Sequence, residues 1–133
     1  MNTRLFITSS LLFMNLASAA YADIAKPNLV LDQMVSALPK ADESQIRVLA
    51  ATLKPGDKTL KHTHRFPVTV YVAEGEFTLE AKGKPPITMK AGQAFVELPG
   101  VETIGYNHST DKITKVLIFY VSAPNTPFLD PIK

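Results

Sequence analysis

A chain of 133 residues has room for one domain with a substantial core and too little for two. Hydrophobic residues at 46% and charged residues at 20% make a globular balance, which excludes a disordered chain. The formal charge is +2, and without Arg4 it falls close to neutral, so no nucleic-acid partner is expected.

Residues 1–22 read as an export signal. Arg4 supplies the positive start, and "LFITSSLLFMNLA" is an apolar run of signal length. Two small-x-small sites follow, Ala17 to Ala19 and Ala20 to Ala22, and cleavage is expected after Ala22. The product is a periplasmic or secreted protein. The run is shorter than the ~20 apolar residues a membrane span needs, and Ser9, Ser10 and Asn15 interrupt it. No later run is long enough, so no membrane span is expected after the signal is removed. The chain has no cysteine. Disulfides, thiolate metal sites and cysteine nucleophiles are therefore excluded, and packing alone must hold the domain.

The segment 23–43 is mixed in character, and its middle, Leu29 to Leu38, fits either a short helix or an edge strand. From Ser44 the pattern changes to short β-rich runs punctuated by Gly and Pro, which predicts an all-β sandwich or barrel over residues 44–122. The runs are 45–53, 68–73, 76–81, 87–90, 94–98, 103–107 and 113–122. "VLIFYV" (116–121) is apolar at every position, as expected for a strand covered on both sides. The cover is expected from a facing sheet or from another subunit, and the run motivates the expectation of a homodimer. The tail 123–133 holds three prolines and reads as an extended segment laid over the body, with Phe128 and Leu129 as anchors.

The chemistry centres on "HTH". On a strand, residues i and i+2 share a face about 6.6 Å apart. His62 and His64 can thus converge on one ion at ~2.1 Å each. Their context is Gly56, five residues, His62, one residue, His64, three residues, Val68, six residues, Gly75. This spacing resembles the first cupin motif, with Val68 where that motif carries glutamate. "GQAFVELPGVETIGYN" (92–107) resembles the second, and anchoring on Pro99, Gly100 and Asn107 puts Thr103 at its histidine position.

The resemblance implies a double-stranded β-helix, or jelly-roll, barrel, often dimeric. In metal-dependent cupins, three histidines and one glutamate hold a divalent ion inside the barrel. Only His62 and His64 match that set, so a divalent metal ion is the one cofactor the pattern admits, and its binding is expected to be weak or absent.

Glu74, Glu97 and Glu102 are the nearby carboxylates; Glu74 falls in a hairpin turn and Glu102 in a loop, where water solvates them. In a regular strand His108 faces away from Thr103, and only a bulge at Gly105 would reverse that parity. Lys61 and Arg65 are expected to project outward. Val68, Thr103, Tyr71 and Tyr106 are the ligand-pocket candidates, with Tyr120 a further aromatic surface. The expected function is a small-molecule-binding module. The alternative is a metal-dependent, dioxygenase-like cupin enzyme that uses His62 and His64 with an incomplete ligand set.

Overall fold

The computed structural model describes residues 24–133, so the expected leader and the cleavage point at Ala22 lie outside the described residues. The described chain is all-β. It forms β1 (Gln45–Leu53), β2 (His62–Thr63), β3 (Val68–Glu74), β4 (Glu76–Ala81), β5 (Ile87–Lys90), β6 (Ala94–Glu97), β7 (Thr103–Tyr106), β8 (Thr114–Ser122) and β9 (Asp130–Pro131). No helix among the described residues is long and apolar enough to cross a membrane.

These strands build two antiparallel sheets, one ordered β1-β8-β3-β6 and the other β5-β4-β7-β2-β9. Apart from the β4–β5 hairpin, consecutive strands alternate between the sheets, the jelly-roll arrangement, and the inner faces close on one core. Period-two alternation decides which side chains enter it. Val68, Val70 and Val72 point inward from β3, Phe77 and Leu79 from β4, and Phe95 from β6. Val116 and Tyr120 complete the core from β8.

Two glycines are demanded by geometry. Gly75 turns β3 into β4 at φ 75°, and a Cβ there would run into the Ile113 carbonyl. Gly105 on β7 lies under the Phe77 ring, which occupies the space a side chain would need.

Two features differ from the sequence reading. Residues 24–40 form neither a helix nor an edge strand, and Leu29 and Met34 are exposed. The tail forms a strand of its own: β9 pairs with β2, placing Pro131 opposite His62 and Asp130 opposite Thr63. Within this one chain the facing sheet covers the inner side of β8, and its outer side is the one left for a second subunit. Phe119 faces outward beside Val48, and Val121 beside Ile46.

Candidate metal centre

The two histidines come from one short segment, His62 on β2 and His64 just past its end. His62 on β2 pairs with Thr103 of β7 on one side and Pro131 of β9 on the other. His64 follows two residues later with the same parity, and both rings are buried. The main-chain carbonyl of His64 accepts a hydrogen bond from Gly100 N–H at 2.9 Å, so the Pro-Gly turn after β6 fixes this residue's backbone.

Hydrogen bonds fix the ring tautomers. His62 Nδ1 lies 2.6 Å from the Leu60 carbonyl, and His64 Nδ1 lies 2.7 Å from the Phe128 carbonyl. A carbonyl only accepts, so each Nδ1 must carry the hydrogen and donate it. In a neutral ring Nε2 is then a bare lone pair. The two Nε2 atoms face each other at 3.0 Å, with the rings edge to face at 81°.

Into the same space comes Glu97 from the end of β6, 7% exposed, with Oε2 3.0 Å from His64 Nε2. The ligand atoms of His62, His64 and Glu97 all lie within 4.8 Å of one another. Three acceptors thus converge with no hydrogen-bond donor among them. Such a cluster requires a cation, either a proton that turns one ring into imidazolium or a metal ion. The 3.0 Å separations admit both, since a shared proton also bridges N and O at that distance. Donors ~2.1 Å from one ion and at right angles around it stand about 3.0 Å apart.

Glu97 joins the two histidines that the sequence singled out. It is the register partner of Val68, so a carboxylate stands on the neighbouring strand directly across from the position where the motif carries glutamate. The sequence carried a signal for this. In "AFVEL", period two places Glu97 on the same face as Phe95, which the core requires inside.

The other candidates separate by face. Val68 and Thr103 are buried on the inner faces, Val68 at 1% and Thr103 at 2% exposure. The Thr103 hydroxyl has no hydrogen-bond partner, and neither does the equally buried Tyr120 hydroxyl. Tyr71 does not line the pocket. It alternates with Val70 and Val72 and points to the outer face. Tyr106 is excluded in the same way: its hydroxyl reaches Glu80, and its ring stacks on His108 at 4.9 Å. His108 is exposed beyond a regular β7, so no bulge at Gly105 brings it to the cage.

The surrounding charges are spent on the surface. Lys61 and Lys82 pair with Glu102, Lys115 pairs with Glu74, and Arg65 pairs with Asp130. The two lysines hold the Glu102 carboxyl below its usual range, Lys82 contributing most. Asn107 is structural: its amide donates to the Leu53 and Lys112 carbonyls, tying β1 to the β7–β8 loop.

Behind the cage lies a cavity of about 170 Å3 whose wall includes all three donors. The tail closes one side of it with Phe128 and Leu129. The Phe128 ring sits 5.0 Å from the His64 ring, and the Arg65–Asp130 bridge, two bonds of 2.8 Å, anchors the strap outside. Glu97 also borders a separate apolar pocket of about 250 Å3, shared with Thr103.

The description of the Cupin domain family matches residues 50–120, more than half of the sequence. Among solved structures, an RmlC-like cupin with a double-stranded β-helix fold from Methanocaldococcus jannaschii is similar at TM-score 0.52 and 23% identity, over 59% of this chain and 70% of that one. A conserved Klebsiella pneumoniae protein with a double-stranded β-helix domain is similar at 0.52 and 22%, over 70% and 78%. The DMSP lyase of Ruegeria pomeroyi is similar at 0.55 and 16%, over 62% of this chain and 41% of that one. At these identities the structural likeness shows the fold alone. No curated protein matches the sequence significantly.

Proposed function

The chain belongs to the cupin family, and from that premise we propose that it is a divalent-metal-binding protein whose barrel accepts a small molecule beside the ion. One observation carries this reading. The Nδ1 hydrogens of His62 and His64 are both taken by main-chain carbonyls, which leaves two Nε2 lone pairs aimed at each other and at Glu97.

The carbonyls of Leu60 and Phe128 act as outer-shell partners, holding each ring in the ligating tautomer and orientation. Three protein donors leave coordination positions free, the pattern of sites that handle a ligand rather than of purely structural ones. A metal held there would act as a Lewis acid on an oxygen of the bound molecule. The apolar wall excludes water from that contact. The same donor set, two histidines and one carboxylate, favours a second reading, a dioxygenase-like enzyme, because non-haem iron oxygenases use this combination. The leader expected over residues 1–22 supports export, with the metal acquired outside the cytoplasm.

The test is calorimetric titration of Zn2+ or Mn2+ into metal-free protein. One equivalent should bind, and Glu97→Gln should weaken binding by at least ~100-fold. Equal binding by the wild type and Glu97→Gln would remove the carboxylate from the site. No binding by the wild type would leave a proton as the cation in the cage.

A further inference from the structure

The cavity behind the cage has a sharply divided chemistry. Leu53, Val70, Phe77, Val116, Ile118 and Phe128 supply apolar surface around it. Its polar lining outside the cage is already satisfied. The Thr59 hydroxyl donates to the Leu60 carbonyl and accepts from Gly105 N–H, while the Gly105 carbonyl accepts from Thr59 N–H. A molecule bound there thus finds polar partners at one end only, where His62, His64 and Glu97 converge.

Size narrows the class further. An apolar cavity of roughly 150 Å3 holds one benzene ring and stays free of water. The volume here, about 170 Å3, is of that order.

Resting on the reading of the cage as a metal centre, we propose that the cavity takes a compact apolar molecule of about six to nine heavy atoms bearing a single oxygen head group, with the head on the metal and the body against Phe77 and Phe128. A second polar substituent on the body would meet only hydrocarbon and would be rejected.

Four carboxylates test this on Zn2+-loaded protein by calorimetry: acetate, benzoate, 4-hydroxybenzoate and 2-naphthoate. Benzoate should bind at least tenfold more tightly than acetate, which has the head without the body. It should also exceed 4-hydroxybenzoate, which buries an unpartnered hydroxyl, and 2-naphthoate, which is too large. Ala51→Leu adds bulk to the cavity wall without touching the cage, and should abolish benzoate binding while Zn2+ uptake persists. Equal affinities for acetate and benzoate, or naphthoate binding as well as benzoate, would overturn the proposal. If the wild type takes up no Zn2+, the metal reading fails by itself, and toluene titrated into the metal-free protein then decides on the cavity. Toluene-induced shifts of the Phe77 and Phe128 ring resonances would retain an apolar site of this size, and their absence would eliminate it.

Discussion

Glu97 on β6 stands directly across from Val68 on β3, the two forming an antiparallel pair with both side chains turned into the barrel. Opposed residues on one face hold their Cβ atoms about 4.5–5.5 Å apart, within the reach of a glutamate side chain. A carboxylate can therefore move from one strand to its neighbour and still approach the same ion. This relationship makes the donor set exchangeable across the register.

That exchange can be engineered. Glu97→Val should lower Zn2+ affinity by at least ~100-fold, and adding Val68→Glu should recover most of the loss. Val68→Glu alone sets two buried carboxylates face to face, so the metal-free protein should lose ~1–3 kcal/mol of stability and regain it on adding Zn2+. Thr103→His, directly opposite His62, should add a fourth donor and tighten binding. Titration calorimetry with thermal melts checks all three; a Glu97→Val, Val68→Glu protein no better than Glu97→Val would sink the exchange.

Gly105→Ala tests the packing beside the cavity. The new methyl collides with the Phe77 ring, which is itself stacked on Phe95 at 6.1 Å. Overpacking of this kind costs about 1–3 kcal/mol, a drop of several degrees in Tm. An unchanged melting curve would mean the ring moves aside freely.

The tail latch should be sensitive to acid and insensitive to mild alkali. Its hydrogen bond to Arg65 holds the Asp130 carboxyl below the ordinary value of 3.8 and pushes the Arg65 guanidinium upward. A lowered carboxylate stabilises the folded form above that ordinary value, and the contribution disappears as pH falls through the folded one. A raised cation loses its contribution only at extreme alkaline pH. Both groups are substantially exposed, so Asp130→Asn should scarcely move Tm. It should instead speed exchange of the Ile132 amide, which donates to the Lys61 carbonyl across the β2–β9 edge. Unaltered exchange in Asp130→Asn would show that β9 pairing alone fixes the strap.

The outer face of the β1-β8-β3-β6 sheet predicts self-association. Ile46 is 73% exposed, Val48 60% and Phe119 40%, and Val48 and Phe119 are register partners. Covering this surface with a second copy removes apolar area from water at ~25 cal/mol per Å2. Light scattering should give a dimer, and Phe119→Lys a monomer with unchanged Zn2+ binding. A monomeric wild type at micromolar concentration would contradict this.

The barrel was readable because its strands are long enough to alternate. β1, β3, β4, β5 and β8 coincide with the apolar runs to within a residue. β2 and β9 were hidden, each only two residues long, with a proline in β9 that removes one ladder donor. His62 and His64 were legible from spacing. Glu97 was visible in type but not in place, because its partnership with Val68 is a register fact between distant strands. Parity could have excluded two pocket candidates from the start. If Val68 faces inward, Tyr71 faces out; if Thr103 faces inward, Tyr106 faces out.

The hydrogen bond from His64 to Phe128 joins residues 64 positions apart. A nascent chain therefore carries both histidines long before it carries the carbonyl that orients one of them and the strand that borders the other. Until residue 131 has been made and docked against β2, the ligands exist without their scaffold, and an ion captured early meets rings free to turn. For the metal centre proposed above, selection of the ion would in this sense be a late event in biogenesis. The compartment in which the last strand docks would then decide which ions compete for the finished cage.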